Sequence, residues 1–138
     1  METQTDIEPV DIVLMTHNNL GMTIWCIEHI YRYTAPKFRL TVVDDSTDLT
    51  PLWIKEFQKT HDNLIFMHSD IPYKCGNQVV NIGFRSTSSP FVAWLINSCL
   101  VQPDWLNLAI PFMFKNEEVG LMGFKMLKPS LVIEHAGI

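Results

Sequence analysis

The sequence is short of several things, and each shortage narrows what the chain can be. No stretch reaches the ~18 consecutive apolar residues of a membrane-spanning helix, so no membrane span is expected. Clustered positive charge is missing too. The ten Lys and Arg residues stand singly and the net charge is −5, whereas a nucleic-acid partner calls for a basic stripe. The three cysteines, Cys26, Cys75 and Cys99, are odd in number and far apart, which excludes both a disulfide framework and a CxxC metal motif. They suit a reducing, cytoplasmic compartment, where buried cysteine packs as a small apolar residue. The opening Met1-Glu2-Thr3-Gln4-Thr5-Asp6 is acidic and polar, unlike a signal peptide. No repeat, low-complexity tract or linker interrupts the chain, so one domain over residues 1–138 is expected.

What remains is an ordinary globular balance, 47% hydrophobic and 18% charged over 138 residues, enough to bury a core. Strand-like and helix-like segments alternate. Asp11–Thr16 reads as a strand, broken by Asn18-Asn19-Leu20-Gly21. From Met22 to Tyr33, apolar residues at Ile24, Trp25, Ile27, Ile30 and Tyr31 follow helical spacing. Arg39–Val43 is a second strand. Thr50-Pro51 then opens a helix whose buried face is Leu52, Trp53 and Phe57. Asn63–His68 is a third strand and Gly76–Arg85 a helix with Val79, Val80 and Ile82 on its apolar side. Phe91–Ile96 is apolar throughout, as a central parallel strand would be. Pro103-Asp104-Trp105 starts a helix through Phe114, and Val119–Leu127 is expected as a fifth strand. Trp25, Trp53, Trp94 and Trp105 read as core.

This rhythm predicts an α/β fold, a mainly parallel sheet with helices on both faces. In such sheets ligands bind beyond the carboxyl ends of the strands. The residues found there are Thr16-His17-Asn18, Asp44-Asp45-Ser46, Ser69-Asp70 and Asn97-Ser98-Cys99. The acidic pair Asp44-Asp45 suits hydrogen bonds from a base N–H or a sugar hydroxyl. The plainer reading is a solvated turn in which Ser46, Asp48 or Thr50 caps the next helix. Lys74 is either a phosphate-facing cation or a solvated surface lysine. Asn81 reads as a structural residue near the edge, and Cys75 and Cys99 as packing residues.

Five segments together resemble the family-2 glycosyltransferases with a GT-A, Rossmann-like fold, and among them a rhamnosyltransferase-like branch. They are Met15-Thr16-His17-Asn18, Val43-Asp44-Asp45-Ser46-Thr47-Asp48, Asn81-Ile82-Gly83, and Leu95-Ile96-Asn97-Ser98 followed by Pro103-Asp104-Trp105-Leu106. The last is Val119-Gly120 with His135-Ala136-Gly137. The resemblance spans residues 9 to 138. It implies a nucleotide-sugar donor (UDP-, dTDP- or GDP-linked) and transfer to a hydroxyl of an acceptor glycan or lipid-linked sugar. Thr16 and Asp44 would line the base and ribose, with Asp45 in the same cleft. Read from the residues alone, Asn97 and Ser98 are either hydrogen-bonding partners of ribose or phosphate or a polar strand end without function.

The family holds Mg²⁺ or Mn²⁺ on the last aspartate of the fourth strand, and Ser98 stands at that position, a neutral hydroxyl in place of a carboxylate. No metal ligand is assigned. The family's general base lies in an acceptor-binding half beyond the His-Ala-Gly turn, for which a chain ending at Ile138 has no position. Catalytic residues are therefore unassigned. A second expectation follows, a catalytically degenerate or truncated domain serving as a binding or assembly module. The bare apolar surface left by a missing half would then favour a homo-oligomer. A phosphoacceptor receiver domain shares the α/β plan and a fifth-strand lysine, here Lys125. It places the acidic pair after the first strand, whereas here the pair follows the second.

Overall fold

The computed structural model describes residues 9–69 and 76–136. The chain divides into two compact units, Met1–Trp105 and Leu106–Ile138. The first unit holds β1 (Val10–Thr16), α1 (Leu20–Tyr33), β2 (Phe38–Asp44), α2 (Thr50–Gln58), β3 (Leu64–His68), α3 (Gly76–Arg85) and β4 (Val92–Ile96). Its four strands form a wholly parallel sheet in the order β3-β2-β1-β4. The expected α/β plan is present.

Crossovers between parallel strands are right-handed. The step from β1 through β2 to β3 therefore puts α1 and α2 on one face, and the return from β3 to β4 puts α3 on the other. Strand alternation sorts the side chains accordingly. On the α1/α2 face Val10, Ile12, Leu14, Leu40 and Val42 are buried, beneath Cys26, Ile27, Ile30 and Ile54. Tyr31 ties the two helices together, edge-on to Phe57 and His61. On the α3 face lie Val13, Thr41 and Val43, and here Gly83 lets the helix sit close on the sheet. A Cβ built on it would sit 2.3 Å from Val13 Cγ1 and 3.2 Å from Val43 Cγ2.

At the amino edge, away from the candidate site, Asp11 is 3% exposed and accepts a forked pair of bonds from Arg39, Nε to Oδ1 at 2.7 Å and Nη2 to Oδ2 at 2.8 Å. The Ser88 and Ser89 N–H groups add bonds of 2.8 and 2.9 Å. Burial alone would raise the Asp11 carboxyl. The Arg39 bond, the two N–H bonds and the Arg39 charge outweigh it and hold the group below its ordinary value.

Several expectations need correction. The apolarity of Phe91–Ile96 points to a central strand, but β4 pairs only with β1 among the described residues and is an edge strand. Its α3-side positions Val92 and Trp94 are 38% and 53% exposed, because α3 lies over β1 and β2 instead. Trp25 is likewise 59% exposed, and Trp53 and Trp105 are only half-buried. Leu52 is exposed; α2 buries Thr50 and Ile54, one helical turn apart, and Leu52 projects from the other side. Helix α1 starts two residues early, at Leu20, because Asn19 caps it by accepting from Met22 N–H at 3.4 Å.

The second unit holds nearly all of α4 (Trp105–Lys115), then β5 (Met126–Leu127) and β6 (Ile133–His135), an antiparallel pair. The expected strand over Val119–Leu127 is reduced to its last two residues. A strand needs a ladder partner, and only Met126 and Leu127 pair within this segment. Gly120 and Gly123 add no side chain to pack and meet nothing within 4 Å of a built Cβ. Among the described residues no helix is long and apolar enough to cross a membrane.

Candidate functional site

Chain order reverses across β1, whose neighbours are β2 and β4, so the carboxyl ends of these strands flank the fold's natural crevice. The ladder continues past the strands and holds their ends in register. Asp45 N–H donates to Thr16 C=O at 3.2 Å, Ser69 N–H to Asp44 C=O at 2.8 Å, and Asn97 N–H to Met15 C=O at 3.0 Å.

Because side chains alternate along a strand, the consecutive carboxylates of Asp44 and Asp45 point to opposite sides. Asp44 shares its side with Thr16 and His68 and is fully buried. Its Oδ1 accepts from the hydroxyls of Thr16, at 2.6 Å, and Ser46, at 2.5 Å. Its Oδ2 accepts from Ser46 N–H at 3.2 Å and from His68 Nδ1 at 2.7 Å. A carboxylate only accepts, so His68 carries a hydrogen on Nδ1. Four donors around one buried charge satisfy it completely.

Asp45, 8% exposed, accepts from His17 Nδ1 at 2.8 Å, and the His17 ring is 46% exposed. Of the two acids, this one stands nearer solvent. The edge therefore has an inner carboxylate that organises three strand ends and an outer carboxylate paired with a solvent-facing imidazole.

Asn18 and Asn19 adopt left-handed backbone angles, φ 53° and 62°, a conformation asparagine tolerates better than most residues. The turn lets Asn18 knit the edge. Its N–H donates to Ser46 Oγ at 2.6 Å, its Oδ1 accepts from Thr47 N–H at 2.8 Å, and its C=O accepts from Asn97 Nδ2 at 2.9 Å. Asn97 Nδ2 also reaches Thr23 Oγ1 at 2.9 Å, tying β4 to α1. Asp48 accepts from Thr50 N–H at 2.9 Å at the start of α2. Asp48 is exposed, and the slight desolvation at the turn would raise its carboxyl. The neighbouring Thr50, whose N–H makes that bond, and the N–H groups of Leu20 and Asn19 hold it below its usual value. The positive end of α1 thus already faces an acid.

Thr16, Asp44, Asp45, Asn97 and Ser98 all lie along this edge. Lys74, Asp70 and Cys75 fall outside the described residues. Asn81 is exposed on α3. Burial, and then the nearby Cys99, push the Cys26 thiol up to about 12, which makes it a packing residue. His68 was not anticipated, although a polar residue closing the run Leu64–His68 and paired in register with Asp44 was a readable sign. Two surface hollows, of about 510 and 770 Å³, are lined by residues away from this edge.

A divalent ion of the Mg²⁺ or Mn²⁺ class takes hard oxygen ligands, carboxylates above all. Here Asp44 is saturated, Asp45 holds His17, and Ser98 offers an exposed neutral hydroxyl. Among the described residues no three His, Cys, Asp or Glu side chains converge. The described residues do not fit such an ion.

A parallel sheet with this reversal defines an open α/β class of domain with a ligand crevice at the carboxyl ends of its strands. Residues 11–129 match the glycosyl transferase family 2, and the chain belongs to that family. Its fold is shared with solved structures of S. aureus TarS. One aligns with a TM-score of 0.69 at 21% identity, over 79% of this chain and 20% of that one. The TarS 1–349 structure in complex with UDP-GlcNAc aligns with a TM-score of 0.70 at 20% identity, over 79% and 32% of the respective chains. The TarS 1–349 structure in complex with UDP gives 0.69 at 21%, over 79% and 33%. The chain thus spans between a fifth and a third of the length of these proteins. No curated protein matches it in sequence.

Proposed function

We propose that this chain is the nucleotide-sugar-binding part of a family-2 glycosyltransferase. The observation that carries the reading is the divided acid pair at the crevice edge, Asp44 inside and Asp45 with His17 outside. Support comes also from the likeness of fold to TarS structures that hold UDP-GlcNAc and UDP. A UDP-linked donor is the first choice, with dTDP- and GDP-linked sugars next. Asp45 and His17 face the nucleoside, Asp44 and Thr16 shape the wall behind it, and Asn97 with Ser98 closes the β4 side. In a complete enzyme the reaction is inverting transfer of the sugar to an acceptor hydroxyl on a glycan or lipid-linked sugar. The Pro103-Asp104-Trp105-Leu106 segment after Asn97 favours the rhamnosyltransferase-like branch, and the cysteine pattern a cytoplasmic setting.

Calorimetric titration with UDP-GlcNAc, a dTDP-sugar and a GDP-sugar tests this. Binding to at least one is expected, and silence with all three would sink the reading.

One observation favours a second reading, a binding or assembly module without transfer. Leu121, Leu131, Val132 and Ile133 of the second unit are well exposed, and apolar surface left in water favours association. Sedimentation at rising concentration is expected to reveal self-association; a clean monomer throughout counts against it.

A further inference from the structure

We propose that this edge binds its nucleotide without a divalent cation, an inference that rests on the nucleotide reading above. The donor set carries it. To ligate a metal, Asp44 would have to shed donors from Thr16, Ser46 and His68, leaving the Thr16 hydroxyl buried without a partner. Asp45 would have to exchange the 2.8 Å bond to His17 for the ion. An ion at a nucleotide draws most of its oxygens from phosphate and water but still needs one or two uncommitted carboxylates, and the described residues of this edge offer none.

The β4 end does not make up the difference. The turn closed by Cys99 N–H to Ile96 C=O at 3.0 Å presents Asn97 and Ser98. The Asn97 Nδ2 donates to Asn18 and Thr23, so that side chain has only a neutral Oδ1 to offer an ion and no charge to set against it. Ser98 presents an uncharged hydroxyl to solvent. The described residues of the edge therefore read the ligand by hydrogen bonds from side chains already fixed by one another, not through a bridging ion.

The test is titration of the intact chain with UDP in Mn²⁺ and again in EDTA. The two dissociation constants are expected to agree within about threefold. Weakening by about tenfold or more in EDTA overturns the proposal. Ser98→Asp adds a carboxylate at an exposed turn where folding is not at stake. It is expected to make UDP binding tighten about tenfold on adding Mn²⁺. If that variant stays indifferent to Mn²⁺, Ser98 is not the position that decides the matter, and that part falls. No binding of UDP in either buffer has a different meaning, because it removes the nucleotide reading on which the inference stands.

Discussion

Gly83→Ala is the sharpest probe of how α3 is seated. The added Cβ would lie 2.3 Å from Val13 Cγ1 and 3.2 Å from Val43 Cγ2, where carbon atoms prefer roughly 3.5–4.0 Å. The shortfall against Val13 is more than 1 Å. Neither neighbour yields easily, since both are β-branched, stiff at χ1, and essentially unexposed on the central strands. Overpacking of this kind costs about 1–3 kcal/mol, and a deep overlap belongs at the upper end. Alanine returns about 1 kcal/mol of helix propensity. The net loss is then about 2 kcal/mol, or a melting temperature lower by roughly 6–10 °C for a chain of this size. Thermal unfolding followed by circular dichroism measures it.

Val13→Ala makes the reasoning specific. Alone it removes two buried methyl-sized groups and costs about 1.5–2 kcal/mol. Combined with Gly83→Ala it opens the space the new methyl needs, so the double variant should be more stable than the sum of the singles by about 1 kcal/mol or more. A Gly83→Ala protein that melts at or above the wild-type temperature, or strictly additive losses, would refute the close seating of α3.

The remaining predictions concern charges at the two edges of the sheet. Asp11→Ala strands Arg39 and the Ser88 and Ser89 N–H groups and should cost about 2–4 kcal/mol in urea unfolding. The Asp11 carboxyl is held below its unfolded value, so its stabilisation is complete above the unfolded pKa of about 3.9 and is lost as pH falls through the folded value. The stability gap between wild type and Asp11→Asn should therefore shrink in acid; a gap that widens below about pH 4 contradicts the assignment. Asp44→Asn replaces one acceptor oxygen by a donor facing groups that already donate, and should lower stability by about 2–4 kcal/mol. Asp45→Asn sits beside a half-exposed ring and should change stability by less than about 1 kcal/mol while weakening UDP binding about tenfold. If the two variants exchange these behaviours, the inner and outer roles are reversed.

Much of the fold was legible because the strands are short apolar runs closed by polar residues, and because α1 and α3 carry clear helical spacing. The bounds of α3 follow directly from Gly76 and Arg85. What was not legible depends on contacts between elements. Apolarity of Phe91–Ile96 does not distinguish an edge strand from a central one, since that depends on where α3 lies. Trp94 is apolar whether or not a helix covers it, and here it and Val92 are left open on β4's α3-side face. Val119–Leu127 has strand composition, but no sequence pattern states that a ladder partner meets only its last two residues. The site was half legible for the same reason. Asp44 and Asp45 are plain in the sequence, whereas His68 joins them only through the parallel register of β2 and β3.

That register also explains why two adjacent acids need not do the same work. A strand turns successive side chains to opposite sides, so a doubled aspartate at a strand end is one group for each side. On the inner side, parallel pairing brings Thr16 of β1 and His68 of β3 level with Asp44. The three strand ends then close on one buried charge. On the outer side Asp45 meets His17, the residue after Thr16, which the same alternation turns outward. The two roles are coupled through the backbone, because Asp45 N–H donates to Thr16 C=O. Fixing the inner carboxylate thus fixes the position of the outer one. A site of this design gains its rigidity from the sheet rather than from an ion, which is why loss of Asp44 should be felt first as lost stability and loss of Asp45 first as lost binding.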